Sequence, residues 1–177
     1  SSVGITRREY KRIGGVLMTN IQTTPTTASD PSVAAGSAQF LSPLVISLQA
    51  LAINGKQAHW HVRGANFTGV HELFDTIVAN AQGWADTAAE RIVALGLPVD
   101  ARLSTVAEKA TPTAVPAGFT KSDQLIRNVI TDIDAIIVEA QAAIDGLDEL
   151  DLTSQDVAIE VKRGLEKDRW FLFAHVA

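Results

Sequence analysis

The sequence predicts an all-α fold: four long helices in one bundle, with a single long connection between the second and the third. Three observations carry the prediction. Apolar residues return at three- and four-residue intervals through four separate stretches, the period of a helix with one buried face. The third stretch is rich in β-branched residues but keeps that spacing over about twenty positions, too far for a strand. Glycine and proline fall where such helices would stop.

Size and composition bound the rest. With 177 residues and 46% apolar content the chain can build one compact domain with a sizeable core, and has no room for a second. Zero cysteines exclude a disulfide framework, a thiolate zinc site and thiol catalysis. The longest apolar stretches are broken by Gln, Asn, Asp or Lys short of the ~20 residues that span a bilayer, and no apolar signal-peptide core follows the N-terminal charges. The expectation is a soluble protein of the cytoplasm with no membrane partner, association with the nucleoid being the alternative.

Residues 1–37 read as a flexible tail, because the Thr-, Ser- and Pro-rich stretch from Thr23 to Ser37 offers too little apolar surface to order itself. The bundle is expected over 38–177. Its first helix is signalled from Phe40 by Leu41, Leu44, Val45, Leu48, Leu51, Ala52, Ala58 and Val62, with Gly64 as the stop. The second runs from Thr68 or Gly69 to Leu95, closed by Gly96 and Pro98. The crossover from Asp100 to Gly118 contains Pro112 and Pro116, and a short extra helix over Ser104–Lys109 with Ser104 as N-cap. A third helix from Ser122 or Asp123 carries Leu125, Val129, Ile130, Ile133, Ile136, Ile137 and Ile144 and ends near Gly146. A fourth starts at Thr153, whose hydroxyl can cap it, and continues through Val157, Val161, Leu165, Trp170 and Phe173. One long connection in the middle lets the second and third helices run parallel, as in ferritin-like bundles.

Charge is uneven. Arg7, Arg8, Lys11 and Arg12 against Glu9 alone give residues 1–17 a net +3, and since the whole chain carries −5 the remainder carries −8. A basic tail on an acidic body suits contact with a phosphate backbone. Met18 is the only methionine, however, and what precedes it reads as an expression leader. After it no Lys or Arg occurs before Lys56, so DNA binding is not expected without the leader.

The chemistry is concentrated in HWHVRGANFTGVHELFDTIVANAQGWADTAAE, which holds His59, His71, Asp75, Asp86 and Glu90. Imidazole with carboxylate and no thiolate suits iron or manganese better than structural zinc. His71 and Asp75 are four apart, hence on one helical face, and Asp86 and Glu90 form a second such pair. Fifteen residues from His71 to Asp86 are ~22 Å of helix rise, so one ion cannot meet both pairs. An isologous two-fold dimer resolves this: an antiparallel copy of the second helix sets the late pair of one subunit beside the early pair of the other, and His59 adds a nitrogen. The plainer readings are packed histidines, a solvated acidic face near Arg91, and ordinary ion pairs across an interface. No Glu-x-x-His occurs anywhere, so a di-iron site inside one bundle is not expected.

The segments NGKQAHWHVRGANFTGVHELFD and WADTAAERIVALG resemble the Dps mini-ferritins, the DNA-binding proteins from starved cells, within the ferritin-like superfamily. The resemblance covers nearly all of 38–177, and every interval of the family's ligand pattern is met. It implies a hollow homo-dodecamer of two-fold dimers, with two-iron ferroxidase sites at the dimer interfaces. There ferrous iron would be oxidised, preferably by hydrogen peroxide, and a ferric mineral kept inside, sparing the cell oxidative stress. Trp60 matches an aromatic neighbour thought to intercept stray oxidising equivalents; simple packing is the other reading. Asp156, with Asp151 nearby, falls where the family has an acidic three-fold pore for iron, in a region where Asp145, Asp148 and Glu149 add negative potential. Two other functions stay open: a metal-dependent hydrolase of acyl substrates using the same ligands, and a DNA-compacting nucleoid protein for which those ligands are dispensable.

Overall fold

The computed structural model describes residues 30–177. Five helices and two very short strands follow in the order α1 (Pro31–His61), β1 (Val62–Arg63), α2 (Phe67–Ala94), α3 (Leu103–Lys109), β2 (Thr120–Lys121), α4 (Ser122–Leu147) and α5 (Leu152–Phe173). The four long helices make the expected ferritin-like bundle. α1 lies along α2, α4 along α5, and a single core runs through all four from Leu41 and Leu48 to Phe74, Ile133 and Leu165.

The first helix begins earlier than its apolar pattern suggests. Pro31–Ser37, expected as tail, is helical: the Asp30 carboxylate accepts from the Ser32 amide at 2.8 Å and Pro31 takes the first turn, where its missing N–H costs nothing. Ala34 and Ser37 are buried there. Residues 1–29, which include the basic stretch Arg7–Arg12 and Met18, lie outside the described residues. α1 is long and apolar enough to cross a membrane by length and composition, but half of its most apolar window is buried inside the bundle. It stops at His61, ahead of Gly64.

The other caps also differ in detail. Ser104 is not the N-cap of α3, which starts at Leu103 behind Arg102. Nor does Thr153 cap α5; the Asp151 carboxylate does, accepting from the amides of Thr153 and Ser154. On α5, Val161 and Leu165 are buried as expected whereas Trp170 and Phe173 are exposed.

β1 and β2 pair in parallel, Val62 opposite Thr120 and Arg63 opposite Lys121. Because β1 precedes α2 and β2 leads directly into α4, the pairing puts the starts of both helices at one end of the bundle, pointing the same way. That is the geometry the long crossover requires.

Two helical glycines let aromatic rings approach the backbone. A methyl on Gly164 would overlap the Trp84 ring, and one on Gly146 would overlap Phe40. The Trp84 ring is fixed by packing against the core, so Gly164→Ala is expected to destabilise the bundle by about 1–3 kcal/mol, more than its gain in helix propensity returns. Urea unfolding of the two forms checks this; an unchanged or higher midpoint would show that the ring moves freely.

Candidate metal centre

His59 sits in the last turn of α1 and His71 in the second turn of α2, with the Val62–Asn66 hairpin between them. Their rings stack, centroids 3.6 Å apart and planes 19° from parallel. His59 Nδ1 lies 2.7 Å from the His71 carbonyl, and His71 Nδ1 lies 2.8 Å from the His59 carbonyl. The His59 carbonyl is free for this because the last carbonyls of a helix have no partner within it. A nitrogen facing a carbonyl must carry the proton, so both Nδ1 atoms are N–H donors, and Nε2 is the atom of each ring left to offer a lone pair to a metal once it carries no proton. The pair is thereby set in the tautomer that binds a metal. Phe67 stacks on the outer face of His71 at 5.2 Å, making a three-ring stack at the start of α2.

Asp75, one turn along α2, is half exposed and paired with the Lys56 ammonium from α1. The Lys56 hydrogen bond chiefly holds its carboxyl below the usual range, and the nearby His59 and His71 add to the same effect. Asp75 is thus ionised and within the electrostatic reach of both histidines. Any cation that takes it must displace or share it with Lys56.

Asp86 and Glu90 are exposed near the other end of α2 and form no hydrogen bond or ion pair with any described residue. Arg91 does not neutralise them: it turns to α5, bonding Ser154 at 3.0 Å and Asp151 at 2.9 Å. Among the described residues of one chain, no three His, Asp or Glu side chains are gathered closely enough to hold a metal. The five candidate ligands remain two separated groups, as the ~22 Å of rise between them requires. Trp60, beside His59, is 63% exposed. It opens onto a groove shared with Lys56, Gln57 and the Val115–Ala117 segment of the crossover.

The two acidic residues expected at a pore differ. Asp156 is exposed on the first turns of α5, free to face a neighbouring molecule. Asp151 is not: besides capping α5, it accepts from Ser37 and is paired with Arg91, its side chain only 9% exposed. Burial pushes its carboxyl up, but the hydrogen bonds of Ser154, Arg91 and Ser37 outweigh that and hold it at about 2. Asp151 therefore ties α1, α2 and α5 together. A depressed carboxylate stabilises the fold above its unfolded value and loses that contribution as pH falls toward its folded value. Acid unfolding is expected to draw on Asp151 only between about pH 4 and pH 2. Asp151→Asn should flatten that part of the acid-unfolding curve and lower stability by about 1–3 kcal/mol at neutral pH, as circular dichroism would record.

Helix layout and a histidine hairpin at the end of a bundle define a protein of the ferritin-like class, and the family described as "Ferritin-like domain" matches residues 41–177. A DNA protection during starvation protein of Agrobacterium fabrum is 35% identical over 138 residues, 77% of this chain and 85% of that one. Another, from Mycolicibacterium smegmatis, is 33% identical over 148 residues, 78% of this chain and 76% of its own. Among solved structures, Dps from Microbacterium arborescens in the high iron form is 66% identical, covers 85% of this chain and 98% of its own, and superposes with a TM-score of 0.82. Mycobacterium smegmatis Dps follows at 30% identity, 84% and 91% coverage and a TM-score of 0.79. The chain belongs to the Dps mini-ferritin family.

Lys56 and Phe67 are the site residues that sequence reading missed. The KxxH spacing from Lys56 to His59 and the FxxxH spacing from Phe67 to His71, each about one helical turn, are the signals that could have found them.

Proposed function

We propose that this protein stores and detoxifies iron: ferrous iron is its substrate, oxidised at sites that two subunits complete across a two-fold axis, and the ferric product is kept in a dodecameric shell. The observation that carries the reading is the reciprocal bonding of His59 and His71, which directs two imidazole lone pairs to a metal before any metal arrives. His59, His71 and Asp75 supply one half of each site and Asp86 with Glu90 of the twofold-related subunit the other. That Asp86 and Glu90 have no partner among the described residues of one chain fits ligands that await a partner subunit.

Hydrogen peroxide is the preferred oxidant in this proposal. Two ferrous ions held together would each give one electron, the O–O bond of the peroxide would break, and with two protons taken up from solvent both oxygens would leave as water, so no hydroxyl radical is released. Trp60 stands next to His59 to intercept oxidising equivalents that escape. Asp156 contributes to the acidic route by which iron reaches the interior. Removal of ferrous iron and peroxide then protects the cell in starvation or oxidative stress without requiring the acidic body of the chain to bind DNA, and the cytoplasm is the compartment proposed.

Anaerobic loading with ferrous iron, followed by peroxide or oxygen and read by absorbance of the ferric product, tests the chemistry; light scattering on the same sample tests the shell. Saturable fast oxidation at about two irons per peroxide consumed is expected, faster than with oxygen. Oxidation no faster than in buffer would end the proposal.

A further inference from the structure

We propose that Phe119, at the far end of the crossover, is a positioning residue for ferrous iron: it clamps the hairpin that joins His59 to His71. The inference rests on the ferroxidase reading above. The hairpin has little structure of its own, since Gly64 and Asn66 both take left-handed backbone conformations, φ +101° and +51°, and Asn66 makes no side-chain cap bond to α2. What fixes it comes from the chain that arrives some sixty residues later. The Arg63 guanidinium carbon lies 3.3 Å from the centroid of the Phe119 ring, and the His61 ring meets the same phenyl at 5.3 Å. Next to this contact β2 pairs with β1, and the Ser122 hydroxyl donates to the Ala65 carbonyl at 2.8 Å. On the other side, the Gln57 amide donates to the Ala117 carbonyl at 2.9 Å. Four links thus fasten residues 57–65, which include His59, to residues 117–122.

Phe119 is the link that owes least to the core. It is 63% exposed in the single chain, so burial within its own subunit does not account for an aromatic side chain at this position. A planar π face does: it seats Arg63, the residue at which the hairpin leaves β1. Loosening the hairpin changes the distance between the two imidazoles before it changes the bundle, so the loss should fall on ferrous binding. A cation seated on an exposed ring shifts an equilibrium by roughly two- to fivefold.

The test uses the full assembled protein, with ferrous oxidation kinetics and cobalt(II) as a probe that does not oxidise, read by its visible absorption. Phe119→Ala and Arg63→Met are each expected to raise KM for ferrous iron and weaken cobalt binding by roughly threefold to fivefold, with kcat unchanged and the assembly size unchanged. Phe119→Trp should restore wild-type behaviour and Phe119→Leu should not. Wild-type KM and cobalt spectra in both Phe119→Ala and Arg63→Met, beside a dead His71→Ala, would overturn the clamp while leaving the ferroxidase intact. A wild-type protein that neither oxidises iron nor binds cobalt better than His71→Ala would overturn the ferroxidase reading and the clamp with it.

Discussion

His71→Ala is expected to lower the rate of peroxide-driven ferrous oxidation by more than about a hundredfold while leaving a folded, assembled protein. The size of the effect follows from what one ring does. In the proposed site it offers a lone pair to the metal; through its Nδ1–H it occupies the carbonyl of His59, while its own main-chain carbonyl holds the His59 proton in place. Removing the ring therefore strips one ligand and leaves the His59 carbonyl without its donor, while the main-chain carbonyl of residue 71 that fixes the His59 tautomer stays; losing a second-shell partner alone typically costs ten- to a hundredfold in metal affinity or activity. The fold should survive because His71 is only half-buried, and the core residues on its helix, Val70, Phe74 and Ile77, are untouched. Stopped-flow absorbance gives the rate and light scattering the size. Asp75→Ala and Glu90→Ala should behave alike. Rapid oxidation persisting in any of the three would remove that residue from the site, and persistence in all three would put the oxidation at other residues.

What could be read in advance follows the range of the forces involved. α2 and α4 were legible almost to their ends, because a long apolar stripe is local information and Gly96, at φ +88°, is the residue type a helix end needs. The start of α1 was legible in principle: Asp-Pro at 30–31 is an N-cap followed by a first-turn proline. It was obscured by the small residues after it, which bury little area, and by Pro43, a residue disfavoured inside helices that here lies inside one. The ligand spacing is also local, so His71 with Asp75 and Asp86 with Glu90 stood out. Lys56 on Asp75, Arg63 on Phe119 and Arg91 on Asp151 are contacts between distant parts of the chain. Asp151 shows the consequence: as a sequence it is one more acid beside Asp148 and Glu149, and only the arrival of Arg91, sixty residues earlier in the chain, makes it a structural tie.

The division of the ligands between two ends of α2 leads to a result that no site within one subunit can produce. Take two variants, one with His71→Ala and Asp75→Ala, the other with Asp86→Ala and Glu90→Ala; each alone should be inactive, since every site in either assembly lacks a half. Co-expressed in equal amounts, they should regain activity. A two-fold interface builds each site from the early half of one subunit and the late half of the other, so a mixed dimer has one site in which both halves are damaged and one in which both are intact. With random mixing about a quarter of all sites are whole, and about a quarter of the wild-type oxidation rate per subunit is expected. A subunit that folded both groups around its own metal would gain nothing from a damaged neighbour, and the ~22 Å of helix between His71 and Asp86 already argues against it. A mixed assembly, verified by mass, that stays as inactive as its parents would exclude the shared site. Recovery near a quarter would make assembly a condition of the chemistry, because the metal centre would then be absent from any separated subunit.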